Sequence, residues 1–230
     1  MKLIGYIFVF LFATNFCYAQ KHNKARRACD KKDLLISKEI LLNAKVNRRN
    51  IKLSDKLSLC FIDKANEYIA TDAKQALKYL THSQVLTSKF RNDSWTTSQI
   101  ETGLNIAYKL KTNCEKNFDS SSTCYTKSKD IYESILQSDP YNWSANYNLG
   151  SLLYKRAVFK IKKLDYETDI FEIEKIQDEC IRLFFSALPY LKNAYNANPQ
   201  EELVVKSLSD LYFSLNNETK AVEYELLIKD

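Results

Sequence analysis

Three glycines and three prolines in 230 residues leave little material for tight turns and hairpins, which argues against an all-β protein. Histidine is as scarce: His22 lies in a basic segment and His82 in a helical pattern, so no cluster offers acid–base work or metal ligation. The chain has no G-x-S-x-G, no H-E-x-x-H, no phosphate-cradling Gly-rich loop and no dinucleotide fingerprint. These absences point away from an enzyme and call for no cofactor. None of the cysteine spacings is the C-x-x-C of redox or zinc sites. The acidic cluster Asp165, Glu167, Asp169, Glu172 and Glu174 lacks the glycine and the alternation of a calcium loop, and reads as a solvated turn rather than a metal site. No apolar run approaches the roughly 20 residues that span a bilayer.

The first 19 residues read as a signal peptide. Lys2 gives a positive start, Leu3 to Ala13 is apolar, and Cys17-Tyr18-Ala19 before Gln20 is a small-residue cleavage site. Cleavage there removes one base and no acid, so a net charge of +6 becomes +5 in an exported, periplasmic or secreted product. An uncleaved anchor is the alternative; lipidation at Cys17 fits poorly, because Thr14-Asn15-Phe16 lacks the small residues that modification needs. Residues 20–52 form a basic arm and an N-terminal helix. The arm, with Lys21, Lys24, Arg26, Arg27, Lys31 and Lys32, could touch a membrane surface peripherally, although a solvated terminal arm is the commoner outcome.

Export makes disulfides available. Of the five cysteines left, Cys114 and Cys124 flank a polar segment between two helical patterns and are the best candidate pair. Cys29 with Cys60 is a weaker candidate, and an odd count leaves one thiol free or bound to another chain.

Apolar residues recur at three- and four-residue spacing through most of the chain, which predicts nine helices. The first runs over Leu34 to Ala44, the second over Leu53 to Ile69, the third over Ala73 to Leu86, and the fourth over Ile100 to Leu110 behind the cap candidates Asp93 and Ser94. The remainder are Tyr125 to Gln137, Trp143 to Leu164, Ile170 to Asn196, Leu203 to Leu215 and Lys220 to Ile228. Pro189 falls inside the seventh, where it must kink the helix or begin its first turn.

The stretch Asp139-Pro140-Tyr141-Asn142-Trp143-Ser144-Ala145-Asn146-Tyr147-Asn148-Leu149-Gly150 carries the most information. Pro140 stops one helix, Asn142 can cap the next, and Ala145, Leu149 and Gly150 are small or apolar where helices approach closely. This "D-P-x-N, then A-x-Y-N-L-G" run resembles the junction between two tetratricopeptide repeats (TPR), whose unit is about 34 residues. With Pro140 at repeat position 32, Ser128, Tyr132 and Ile135 take the packing positions 20, 24 and 27, and Gly150 takes position 8 of the next unit. With Pro199 at position 32, Ala187, Leu191 and Ala194 take the same packing positions. Pro140 to Pro199 spans 59 residues, one unit and 25 more, so an insertion around Lys155 to Cys180 should lengthen both helices of that unit. Residues 124–230 resemble the family well, and look most like small exported TPR proteins of Gram-negative bacteria. Residues 53–123 fit as degenerate repeats, with a helical cap over residues 53–112 as the alternative, and the repeats are favoured because a lone repeat would leave an apolar face bare. The resemblance implies an all-α, right-handed solenoid of about four helix pairs behind an N-terminal helix, with residues 53–230 forming the solenoid.

In that family the first helix of each pair lines a concave groove. The resemblance places Ser144, Tyr147, Asn148, Ser151, Tyr154 and Lys155 in it, followed by Lys206, Asp210 and Phe213 of the last unit, with Leu203 beside them. Some TPR proteins hold a partner's C-terminal carboxylate with Lys and Asn at such positions. Asn148 and Lys206 match in residue type, whereas Ser151 stands where Asn is wanted. Tyr147, Tyr154 and Phe213 could supply aromatic anchors, or could instead pack against the lengthened helices. The expectation is therefore a non-enzymatic, exported scaffold docking a peptide or helix of another envelope protein. Its alternatives are an accessory, substrate-handling subunit of an envelope enzyme complex and a structural homo-oligomer. Nucleic acid is not expected as a partner, because bases are interleaved with acids, as in Lys127-Ser128-Lys129-Asp130.

Overall fold

A computed structural model describes residues 31–92, 95–115 and 122–228. The signal segment, the arm residues up to residue 30, Cys17, Cys29, His22 and the cap candidates Asp93 and Ser94 lie outside the described residues. Among the described residues the protein is all-α, with nine helices and no strand. They are α1 (Lys31–Leu42), α2 (Arg48–Tyr68), α3 (Ala73–Arg91), α4 (Thr97–Glu115), α5 (Ser122–Ser138), α6 (Trp143–Lys162), α7 (Ile170–Ala197), α8 (Glu202–Ser214) and α9 (Glu218–Leu226). One N-terminal helix precedes four consecutive pairs, which is the count and order of a TPR-like helical repeat. No helix among them is long and apolar enough to cross a membrane.

Short polar side chains start these helices by accepting the orphan N–H groups of the first turn. Asn47 accepts from Asn50, Asp72 from Gln75, Asn142 from Ala145 at 3.0 Å, Asp169 from Phe171 and Asn217 from Lys220. The fourth helix begins later than Ser94: Thr96 and Gln99 form a reciprocal capping box, with N–H of Thr96 donating to Gln99 Oε1 at 2.9 Å. The shortage of glycine is met by asparagine, which tolerates the left-handed region better than other residues. Asn92 ends α3 at φ 57°, and Asn216 turns the chain between α8 and α9 at φ 56°.

The chain divides into two compact units between Thr102 and Gly103, inside α4. In the first, α2 and α3 run antiparallel, since numbers rise along one as they fall along the other: Ser54 meets Leu86, Ser58 meets Ser83, and the Phe61 ring lies against Tyr79 and His82. Leu34, Leu41, Phe61, Ala65, Ala76, Leu80 and Leu86 fill its core. A polar layer crosses that core. The fully buried Gln99 amide donates to Ser83 Oγ at 2.8 Å and Thr87 Oγ1 at 2.9 Å, with Ser58 Oγ at 3.4 Å. Lowered in pKa first by burial and then by the Lys38 ammonium, the His82 imidazole is held toward its neutral form. Cys60 is disulfide-bonded.

In the second unit, Ser128 Oγ donates to the Ala107 carbonyl at 2.8 Å and so ties α5 to α4. A disulfide joins Cys114 and Cys124, with Cα atoms 5.9 Å apart, as the sequence expected. The insertion lengthens α7 to 28 residues and gives α6 20. These two helices pair antiparallel through Asn146 with Asn193, Gly150 with Leu191, Tyr154 with Phe184, Ala157 with Cys180 and Lys160 with Glu179. Pro189 lies within α7 and does not begin it. The repeat positions assigned from sequence are core: Ser128, Tyr132, Ile135, Ala187, Leu191 and Ala194 are all buried. The last pair closes through Ser209 Oγ donating to the Ala221 carbonyl and Tyr212 stacked on Tyr224. Cys180 is a free thiol, buried against the Ala157 carbonyl, so it is not placed to bridge to another chain.

Candidate functional site

The sequence-derived groove residues divide into two groups. Asn148, Ser151, Tyr147 and Lys155 on α6 gather around a residue that sequence reasoning missed, Lys111 on α4. Its ammonium donates to Asn148 Oδ1 at 3.0 Å and Ser151 Oγ at 3.3 Å, and lies 5.8 Å from the centre of the Tyr147 ring and 6.0 Å from that of Tyr108. Asn148 is fixed in turn, because its amide donates to the Ser144 carbonyl at 2.9 Å. Tyr147 is stacked on Trp143. The α6 helix builds this set because Ser144, Tyr147, Asn148, Ser151 and Lys155 recur at three- and four-residue spacing and so share one face.

Charge is unevenly matched here. Glu115 Oε1 lies 3.0 Å from Lys155 and 4.0 Å from Lys111, so two ammonium groups share one carboxylate. The Lys111 side chain is only 5% exposed. Burial is the largest influence on it, opposed by Glu115 and reinforced by Lys155, and its pKa falls from 10.5 to about 8. The arrangement can attract an anion, hold it by hydrogen bonds, and exchange a proton near neutral pH.

The second group is dispersed. Tyr154 packs its ring on Phe184 of α7 at 5.6 Å, and burial raises its hydroxyl pKa against a smaller lowering influence of the Ser214 hydroxyl. It belongs to the helix–helix contact as much as to a groove. Lys206, Asp210, Phe213 and Leu203 are exposed along α8, and Lys206 forms no ion pair among the described residues. The acidic turn is spent locally: Asp165 accepts from Glu167 N–H and Thr168 Oγ1, and Asp169 caps α7.

The missed lysine left one signal. Lys111 sits among Ala107, Leu110 and Cys114 on the buried stripe of α4, a position where a charge needs partners. Gln99, on the same helix, was hidden in the same way.

No family model matches the chain, and no curated protein matches it. Among solved structures it is similar to two monomeric mutants of IFIT1, one with Gppp-AAAA and one with m7Gppp-AAAA, its cap in the anti conformation. Each is 12% identical, with a TM-score of 0.48, and the match covers 89% of this chain and 48% of theirs. The chain thus spans about half the length of those structures. Both hold a capped oligonucleotide, so the exclusion of nucleic acid drawn from charge interleaving is withdrawn. Interleaving describes the average surface, whereas an anionic ligand responds to a local excess such as that at Lys111 and Lys155.

Proposed function

We propose that this chain is an exported, non-enzymatic interaction scaffold that docks an extended peptide through one of the peptide's carboxylates, a C-terminus or an acidic side chain. A disulfide between Cys114 and Cys124 is compatible with an oxidising compartment. The observation that carries the reading is the shared carboxylate: among the described residues, Lys111 and Lys155 both pair with Glu115. An incoming carboxylate at the exposed Lys155 edge supplies the missing negative charge, with the Asn148 and Ser151 side chains beside it. Tyr147 offers a ring face to the rest of the peptide. Near-complete burial of Lys111 makes its pairing worth more than that of a surface lysine, because water screens it less.

The test is a library of peptides prepared both as free acids and as C-terminal amides, screened by fluorescence anisotropy against the wild type and a Lys111→Met variant. Lys206→Glu serves as a surface control. Peptides that lose at least about tenfold in affinity with Lys111→Met, and not with Lys206→Glu, support the site. Binding indifferent to Lys111 sinks it. Capped RNA, the ligand in the IFIT1 structures, is run as competitor; its displacing every peptide would overturn a peptide-specific reading.

A further inference from the structure

The outward side of α7 carries a six-residue stripe that none of the described residues covers. Phe171, Lys175, Asp178, Arg182, Phe185 and Pro189 follow one another at alternating spacings of four and three, and every one is exposed. Phe171 is 76% exposed and Phe185 60%, large values for phenyl rings on a helix whose opposite stripe, Cys180, Phe184, Ala187 and Leu191, is buried. Neither Lys175, Asp178 nor Arg182 forms a salt bridge among the described residues, although α6 and α7 are stitched together beside them by Lys160 and Glu179. The five steps average 3.6 residues, the period of a straight α-helix, so the stripe runs along the helix axis and lets a second helix lie beside it over this short length.

Reversed upon itself, the stripe sets each residue against a compatible one. A two-fold axis beside residue 180 sets Asp178 against Arg182 of the partner subunit, and Arg182 against Asp178 of the partner subunit. The same operation sets Lys175 against the face of Phe185 of the partner subunit, and Phe171 against Pro189 of the partner subunit. Each contact occurs twice, as an isologous interface requires. Two ion pairs then lie at the centre, each flanked by a cation over an aromatic face, with apolar contacts at the ends. The seam covers 18 helical steps, a length of about 27 Å. A lipid surface fits poorly, because acids and bases alternate along the stripe.

We infer that α7 is the dimerisation face of this protein and that its occupant is a second copy of the same chain, packed antiparallel with Asp178 and Arg182 exchanged across the two-fold. This assembly leaves the Lys111 site on α4 and α6 outside the seam. Cys180 points to the buried side of α7 against Ala157, so the dimer is non-covalent and insensitive to reductant.

Sedimentation velocity on the full chain, across a concentration series with and without reductant, tests it by charge exchange. The wild type should dimerise. Asp178→Arg alone and Arg182→Asp alone each place like charges face to face and should weaken the dimer at least about tenfold. Because these side chains are exposed, circular dichroism should find both variants as helical as the wild type. The doubly exchanged Asp178→Arg/Arg182→Asp chain should dimerise again, and an equimolar mixture of the two single variants should form a heterodimer. A wild type that stays monomeric at every concentration overturns the inference. So do single reversals that leave the dimer unchanged, or a double exchange that fails to restore it.

Discussion

Gly150 of α6 lies so close to Leu191 of α7 that a Cβ on the glycine would come within 2.7 Å of Leu191 Cγ and 3.2 Å of its backbone nitrogen. Neither atom is the free end of a flexible chain, so the two helices must separate to admit a methyl group. Alanine is intrinsically about 1 kcal/mol better than glycine in a helix. Here the overlap should outweigh that, and Gly150→Ala should destabilise the protein by about 1–3 kcal/mol in urea melts. Gly150→Val should cost more. An alanine variant that melts at or above the wild type would mean that α6 and α7 have room to spare.

The Gln99 amide is the hub of a buried polar layer, with three hydroxyls within reach of one nitrogen and its oxygen engaged at the start of α4. Replacing it by leucine should cost about 2–4 kcal/mol, since the Ser58, Ser83 and Thr87 hydroxyls lose a donor inside the core. Replacing Ser83 and Thr87 by alanine and valine as well should recover part of that loss, because the orphaned groups leave with their partner. Thermal melts of the single and triple variants decide it; additive losses would show that the layer is not a network.

How far the sequence reached follows from the physics of each signal. The nine helices were legible because three- and four-residue periodicity persists over long segments, and the α6 start because Pro140 and Asn142 act locally. Gly150 was legible because only a glycine permits that approach. The Thr96–Gln99 box was missed in favour of Asp93 and Ser94, which have the same capping chemistry two or three residues earlier. Lys111 and Gln99 were missed for a different reason. A polar residue among apolar ones looks like the solvated edge of an amphipathic helix until its partners, 37 and 16 residues away, are known to face it. Such partners are fixed by tertiary packing, which leaves no local pattern.

The Cys114–Cys124 bond closes a short loop of separation 10 between α4 and α5. Replacing both cysteines by serine should lower stability by about 2–3 kcal/mol through the entropy of the unfolded chain. Chemical denaturation of the double variant against the oxidised wild type measures it. A smaller loss would indicate that the hydrogen bond from Ser128 to Ala107 already holds the two helices in register.

Lys111 gives the protein a pH signature of definite sign. Its pKa falls from 10.5 when unfolded to about 8 when folded, so below about pH 8 both states carry the proton and its contribution is constant. Between about 8 and 10.5 the unfolded chain keeps the proton that the native chain has lost. The unfolded state then binds more protons, and stability rises with pH, by about 3 kcal/mol over the window. Tyrosines titrate near the top of that range, so the quantity to measure is the difference between wild type and Lys111→Met in urea midpoints. That difference should move in favour of the wild type as pH climbs from 8 to 10.5, and a difference that stays flat would mean that Lys111 keeps its proton. A carboxylate ligand should reverse the sense of the effect. Binding favours the charged amine, so affinity should be constant below about pH 8 and then fall by about tenfold for each pH unit above it, until the pKa of the complex is reached. The same peptide should show no such slope with the Lys111→Met variant. A wild-type affinity independent of pH across that range would remove Lys111 from the binding site, whatever its effect on stability.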